Sequence, residues 1–485
     1  MSLRARPSLG ASARRSTPRL DISYRRSDDS GGHVRHASPR MTLPPPTGAR
    51  TRGDVLITGA TGFLGTELLA RLLGDGDRRV WALVRASSQA EAEARVRATL
   101  ASLVPDPESM AGRVVPVAGD LLRDGLGIEP RLGDELAEAV DEVIHSAASV
   151  SFSLPLDQAR AVNVEGARHV LELAALAASR GAGLRRYAHV STAFVAGTHG
   201  GPFHEADLAR RQGFNNTYER SKWEAEGLVR RYEGLLPVQV FRPSIVVGDD
   251  RTGWTSSFNV IYTPLRAYAR GALPAVPARR SAPVDVVPVN YVARAILALA
   301  NAGSGRTFHL AAGPAATTVG ELIDLAAELL GQPRARAIPP GLYRRAVHPF
   351  LLRRAGPAQR RWLERGEVFF PYFATRARFD TSATRVALAE AGVGPVPPLA
   401  SYLHRLLEFA ERAQWGRRPV PRSTVVPPSG GGVDEREVDS GADPGPERPH
   451  RGRDRRQQRA RARDGARARA QGRGGGPRVP QPREG

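Results

Sequence analysis

Asp54-Val55-Leu56-Ile57-Thr58-Gly59-Ala60-Thr61-Gly62-Phe63-Leu64-Gly65 runs from a strand-forming stretch into a glycine-punctuated turn, and ELLARLL follows it at helical spacing. Glycines at these three offsets have separate duties: Gly59 permits the tight turn, Gly62 lets backbone approach a pyrophosphate, and Gly65 lets helix and strand pack closely. The helix N-terminus behind them favours negative charge. A glycine triplet alone fits a plain strand-to-helix turn. Its place after the first strand of the ordered region favours a dinucleotide site.

Working outward, short β-branched runs alternate with amphipathic helical patterns: RVWALV (79–84), VVPVAGD (114–120), EVIHSAA (142–148), YAHVST (187–192), VQVFRP (238–243) and TFHLAA (307–312). Strands separated by helix-length segments make βαβ units with right-handed crossovers, hence a parallel sheet covered on both faces. The expected fold class is α/β, a doubly wound Rossmann sheet, with a smaller C-terminal substrate-binding part and disordered tails. Residues 54–250 are assigned to the cofactor-binding and catalytic domain. Residues 251–412, helices mixed with Pro/Gly-rich loops, are assigned to a substrate lid that returns elements to the core.

The chain has 485 residues and a net charge of +21, which would point to an anionic partner if the charge were spread evenly. It is not. Residues 1–53 carry 11 Arg and 3 Asp, and residues 416–485 carry 17 Arg against 9 acids, so each end is +8 and the 362 residues between are about +5. The segments 1–53 and 413–485, rich in Arg, Gly, Ser and Pro, cannot offset their ordering entropy and are expected to be disordered. Met41 stands shortly before the first strand and is a candidate start of translation. The Arg/Gly-rich tail lacks the interleaved aromatic residues of a single-strand nucleic-acid binder, so nucleic acid is not the expected partner. No apolar run reaches the length of a membrane span and no secretory h-region is visible, giving a cytoplasmic expectation. With no cysteine, disulfides, thiolate metal sites and an acyl-cysteine intermediate are excluded. No metal is expected.

After the second strand the chain reads Ala82-Leu83-Val84-Arg85-Ala86-Ser87-Ser88. An acidic residue there would bond the ribose 2′-hydroxyl of NAD, whereas Arg85 can grip a 2′-phosphate in two places. Arg95, in the next helix, is a second candidate contact; for either arginine the plain alternative is a solvated surface charge. NADPH is therefore the expected cofactor. Asp120 and Leu121 after the third strand, and Ser146, Ala147 and Ala148 after the fourth, should flank the adenine and the nicotinamide ribose.

Tyr218-Glu219-Arg220-Ser221-Lys222 places a phenol and an amine four residues apart on one helix face. The amine is expected to depress the phenol pKa and hold the ribose, so that Tyr218 can exchange a proton near neutral pH. Lys222 is the only lysine in a chain with 69 arginines, and with 10 tyrosines in 485 residues it would fall four after one by chance about 2% of the time. Of the hydroxyls ending the fifth strand, Thr192 is favoured over Ser191 to hydrogen-bond the reacting carbonyl. His145 reads as a packed core residue rather than a general base. Asn163 is read either as part of a backbone or water relay or as an exposed cap.

Taken together, TGATGFLG, ALVRA, IHSAASVSFSLPLDQARAVNVEGARHVLELA, HVSTAFVAG, FNNTYERSKWEAEGLVRRY and FRPSIVVGDDRTGW resemble the extended short-chain dehydrogenases, specifically the thioester-reductase and fatty acyl-CoA reductase ("male sterility") branch. The resemblance covers about residues 54–312, and YFATRARFDTSATRVALAEAGV is similar to the branch's C-terminal segment. It implies a catalytic set at Thr192, Tyr218 and Lys222. Its NADP contacts fall on the glycine loop, Arg85, Arg95, Asp120, Leu121 and Ser146 to Ala148, with Tyr218, Lys222 and Pro243 completing them. The implied reaction is NADPH-dependent reduction of an acyl thioester on coenzyme A or a carrier protein to aldehyde or alcohol, a lipid-metabolic role; hydride attacks the thioester directly, in keeping with the missing cysteine. No adenylation domain, carrier domain or membrane anchor is apparent, so a free-standing enzyme is expected. Two other readings remain: an NADP-dependent dehydrogenase of a free ketone or alcohol, and a non-catalytic NADPH-binding scaffold.

Overall fold

A computed structural model describes residues 53–74, 77–180, 183–258, 260–354, 356, 360 and 367–426. The expected N-terminal tail to residue 52, the candidate start at Met41 and the basic tail from residue 427 lie outside the described residues.

Seven strands form one wholly parallel sheet: β1 Asp54–Thr58, β2 Val80–Arg85, β3 Val114–Gly119, β4 Val140–His145, β5 Arg186–Val190, β6 Val238–Pro243 and β7 Arg306–Leu310. Their spatial order is β7-β6-β5-β4-β1-β2-β3. The order reverses between β1 and β4, which makes the crevice at their carboxyl ends the switch point where such sheets bind ligands. The strands are near-continuous apolar runs because helices cover both faces. On one face α1 (Phe63–Gly74), α2 (Gln89–Leu103) and a helix at Val289–Ala298 pack through Leu68, Leu72, Val96, Leu100 and Val292. On the other, helices at Pro130–Ala139, Gly166–Ser179 and Thr217–Arg230 pack through Leu136, Val170, Ala225 and Val229. The doubly wound expectation therefore holds, with strand limits that differ from the sequence reading by up to three residues; the fourth strand starts at Val140 and stops at His145.

A second apolar cluster joins Tyr262, Leu265, Val276, Val284, Leu322, Ile323, Tyr402, Leu403 and Leu406, building the C-terminal part beside the sheet. A parallel two-strand ribbon pairs Ala377–Phe379 with Gly201–Phe203. The chain from residue 413, expected to be disordered, is packed as far as Val426. Arg422 is buried against Glu67 of α1, with Nε and Nη2 at 2.7 and 3.1 Å from its carboxylate, and Trp254 Nε1 donates to the Val420 carbonyl at 3.1 Å. Val420, Val425 and Val426 pack with Trp254, Phe409 and Ala413 as well, and composition missed this because so short an apolar stretch is diluted by the Arg, Pro and Gly around it.

Candidate active site

Gly59 takes φ +76°, in the left-handed region, and a Cβ on Gly65 would lie 1.9 Å from the Gly59 carbonyl oxygen. That contact is why only glycine serves at residue 65 and why α1 can start hard against the turn. The Gly62 amide donates to Gly59 O at 2.9 Å, leaving Thr61 and Gly62 exposed at the helix start. Phe63 packs beside Trp254 and the 420–426 segment. The cradle thus fits a pyrophosphate on structural grounds: a backbone-only surface, a helix N-terminus and no carboxylate in the loop.

Arg85 ends β2 as an exposed side chain for which no hydrogen bond or ion pair to another described residue is recorded, so its guanidinium is open to a phosphate. Arg95 differs: on α2 it pairs with Glu91 at 2.8 Å, one turn away. The structure favours its reading as a surface charge. Asp120 Oδ1 accepts from the Leu122 amide at 3.0 Å, and His169 Nδ1 lies 2.8 Å from the Leu121 carbonyl, which fixes the loop after β3. The loop after β4 is anchored on Thr58: the Ala147 amide donates to Thr58 Oγ1 at 3.1 Å, and that hydroxyl lies 2.8 Å from His145 Nδ1. Burial, with a smaller effect of the nearby Lys222 charge, lowers the His145 pKa to about 3, so the ring is neutral. The Thr58 hydroxyl thus joins the end of β4 to the Ala147 amide, whichever ring nitrogen carries the proton. His145 is a buried structural residue of the switch-point loop, as the packed-core reading expected.

Tyr218 and Lys222 lie on the helix Thr217–Arg230, whose N-cap Asn216 accepts from the Glu219 amide at 3.0 Å. The Thr192 hydroxyl hydrogen-bonds the Tyr218 phenol, while Ser191 Oγ donates away from it to Glu226 at 2.7 Å. The structure therefore groups Thr192, Tyr218 and Lys222 and turns Ser191 elsewhere. Pro243 closes the group from β6, its carbonyl 3.5 Å from Thr192 Oγ1.

One expectation is corrected. Burial pushes the Tyr218 phenol up to about 12, against the lowering effect of the Thr192 hydrogen bond. Lys222, whose Nζ donates to the Val190 carbonyl at 2.8 Å, is not among the groups that shift it. Lys222 is itself lowered to about 8 by burial, with Glu226 pulling the other way. Asn163 is corrected too: it is no exposed cap but 3% exposed, in a π-helical turn. Its Oδ1 accepts from the Ser149 amide at 2.8 Å, and its Nδ2 donates to Ser149 O at 3.1 Å and Ser221 Oγ at 2.9 Å. It ties the loop after β4 to the Tyr218 helix.

Sequence reading missed four residues here. Glu226 follows Lys222 by one turn and is fully buried, gripped by Arg242 Nε and Nη2 at 3.0 and 2.6 Å; the i,i+4 spacing in KWEAE was its available signal. Phe152 meets the Tyr218 ring at 5.6 Å between centroids, and Tyr372 stacks on Phe152 at 5.2 Å. Phe194 meets Tyr372 edge-on at 4.9 Å. No local pattern marks these aromatics, since they converge from three separate loops. Among the described residues no cluster of His, Cys, Asp or Glu is placed to hold a metal ion, and no helix is long and apolar enough to cross a membrane.

Residues 57–296 match the family described as "Male sterility protein". The chain is 30% identical over 284 residues to the L-2-aminoadipate reductase large subunit of Eremothecium gossypii, covering 55% of this chain and 20% of that protein. Among solved structures it resembles the terminal R domain from the myxalamid PKS-NRPS biosynthetic pathway, with TM-score 0.65, 29% identity, and coverage of 78% of this chain and 95% of that one. The reductase (R) domain of a nonribosomal peptide synthetase from Mycobacterium tuberculosis is similar at TM-score 0.60, 27% identity, and coverage of 77% and 93%. The matched region spans only 5–20% of the length of the first curated relatives. Together with the glycine cradle at the switch point, these matches support placing residues 57–296 with the thioester-reductase branch of the extended short-chain dehydrogenase/reductases, which are nicotinamide-dependent oxidoreductases.

Proposed function

We propose that this chain uses NADPH to reduce an acyl thioester, carried on coenzyme A or a carrier protein, to the aldehyde or alcohol, with Thr192, Tyr218 and Lys222 as its reacting groups. The observation that carries the reading is the grouping of these three side chains beside an aromatic surface made by Phe152, Phe194 and Tyr372. Beyond Phe194 and Tyr372 lies a cavity of about 510 Å³ whose walls include Ile245, Pro283, Val284, Ala316 and Phe379, with His204 and Arg378 among its lining residues. Asp285 and Asp380 also line it, the latter 2.8 Å from His204 Nδ1, and a mostly apolar cavity suits an acyl chain better than a polyhydroxylated sugar. The similarity to reductase domains of peptide synthetases supports a carrier-borne substrate. In this reading residues 54–250 bind cofactor and carry the chemistry, and 251–412 shape the substrate side.

The nicotinamide, when bound, would supply hydride to the thioester carbon; the protonated hemithioacetal then breaks its C–S bond, releasing the carrier thiol and the aldehyde, and an alcohol would need a second NADPH. Thr192 and Tyr218 face the oxygen that gains charge, and a donor aimed at a developing oxyanion favours the transition state over the ground state. A Tyr218 phenol near 12 holds its proton firmly at neutral pH, so it enters the reaction as the acid. Lys222, buried and held by Val190 O, sets a positive charge beneath this centre. Arg85 is the group assigned to the 2′-phosphate, and the glycine loop to the pyrophosphate.

The test is NADPH oxidation by the purified protein across acyl-CoA, acyl-pantetheine and carrier-bound thioesters, with Tyr218→Phe as the control. Turnover that the substitution abolishes supports the reading. Tight NADPH binding with turnover of free ketones or alcohols alone would replace it by the dehydrogenase reading.

A further inference from the structure

Tyr372 stands between the proposed reacting position and the cavity. Its ring is a wall of that cavity, whereas neither Thr192 nor Tyr218 is. One face stacks on Phe152, 5.2 Å between centroids at 17°, and Phe152 in turn meets Tyr218. Its edge meets Phe194 at 4.9 Å, and Phe194 runs on to Phe379 at 5.8 Å. The amide of Phe194 donates to Thr192 Oγ1, so this aromatic row begins two residues from the reacting hydroxyl. A chain attached at the reacting carbon and directed toward the cavity meets the Tyr372–Phe194 pair first.

The wall is fixed rather than hinged. Asn216, the N-cap of the Tyr218 helix, donates its Nδ2 to the Tyr372 oxygen at 2.9 Å. The Tyr372 hydroxyl in turn donates to the Glu219 carboxylate. Glu219 is fully buried, and its other partners are the backbone amide and side chain of Asn215. Turning Tyr372 aside would strip a donor from a buried carboxyl and unstack two aromatic contacts, both unfavourable. Most of the cavity's walls behind it are aliphatic, aromatic or proline, and its buried carboxylate, Asp285, is committed to the amides of Ala312 and Gly313 at 2.8 Å each. The space beyond the wall therefore suits methylene groups and offers no free buried charge to a polar chain end.

We propose that Tyr372 sets the acyl-length limit of the site: the native protein takes short acyl groups that end at the Tyr372–Phe194 wall, and the cavity behind is an acyl pocket that a smaller residue at 372 would open. This rests on the thioester-reductase reading above.

The experiment measures calorimetric binding of S-butyl- and S-dodecyl-pantetheine, non-reacting thioethers, to the full chain, to Tyr372→Ala and to Tyr372→Phe. The native protein and Tyr372→Phe, which keeps the ring, should bind the butyl probe more tightly than the dodecyl one, whose chain the wall stops. Tyr372→Ala should bind the dodecyl probe at least about tenfold tighter than the butyl one, because a few extra buried methylenes suffice for that ratio. Tyr372→Leu, which shortens the side chain and keeps it apolar, replaces the alanine variant if that variant does not fold, and should show the same direction. A native protein that already prefers the dodecyl probe tenfold, an unchanged ratio in the shortened variants, or no binding of either probe to any of these proteins overturns the proposal. Loss of the thioester-reductase reading is seen separately, as absence of turnover with any thioester, and the length ratio is read without turnover.

Discussion

Arg422→Ala tests whether the segment after residue 412 is part of the working fold. The Glu67 carboxylate is fully buried and faces Arg422 Nε at 2.7 Å and Nη2 at 3.1 Å, with Arg71 Nη2 at 3.2 Å from its other side. Removing one partner of a buried ion pair costs about 3–5 kcal/mol, because the charge left behind is neither solvated nor compensated. Arg71 stays, 22% exposed, and retains part of the compensation, so the lower end, about 3 kcal/mol, is expected. Residues 420–426 are otherwise held by one Trp254 Nε1 bond to Val420 O, about 1 kcal/mol, and by Val420, Val425 and Val426 packed with Trp254, Phe409 and Phe63. The segment should therefore release before the sheet unfolds, which limited proteolysis reads as early C-terminal cleavage and urea titration as a lower midpoint. Since Phe63 of the glycine loop packs on the same cluster, NADPH affinity should weaken as well. Glu67→Leu combined with Arg422→Leu should recover most of the stability, as apolar pairs of similar volume often replace buried ion pairs without loss. A single Arg422→Ala variant within about 0.5 kcal/mol of the native protein, the scatter of ordinary surface substitutions, would refute the reasoning.

Other consequences follow from the same geometry. Arg85→Glu should lower the NADPH-to-NADH preference in kcat/KM by about 10–100-fold, the worth of hydrogen bonds to a charged group; an unchanged ratio would place the 2′-phosphate elsewhere. Lys222 falls from 10.5 to about 8 on burial, so the folded state binds fewer protons than the unfolded one between those values. Stability should then rise with pH across that window while activity falls above about pH 8, and Lys222→Met should remove the stability dependence and abolish turnover. Asn163→Ala, which strips three hydrogen bonds from a buried site, should cost about 2–3 kcal/mol in urea titration and lower kcat by loosening the loop that carries Phe152. Asn163→Asp, which keeps the acceptor for Ser149 N, should lose less.

What the sequence disclosed and what it hid divide along the reach of the interactions. Gly59, Gly62 and Gly65 could be read because each duty is discharged within a single turn, and the clash a Cβ at 65 would make involves a residue only six positions away. Tyr218 and Lys222 were legible for the same reason: four residues on a helix share a face whatever the rest of the chain does. The charge state of that pair was not, because it depends on what surrounds it. Lys222 spends its proton on Val190 O, from a strand 32 positions earlier, and Tyr218 is buried under Phe152 and Tyr372, which arrive from loops on opposite sides of it in sequence. Asn163 shows the intermediate case: its helix was visible, but the π-helical turn that swings its amide between Ser149 and Ser221 was not. The C-terminal boundary failed for a related cause. Composition assigned everything after residue 412 to a tail, yet one arginine among many, Arg422, finds a buried carboxylate 355 positions away. Composition averages over such a residue, and only the fold distinguishes the arginine that is buried from those that are solvated. Residues whose partners are local can thus be assigned from sequence alone, whereas proton affinity, acyl reach and the true end of the fold are set by partners that only the tertiary structure brings together.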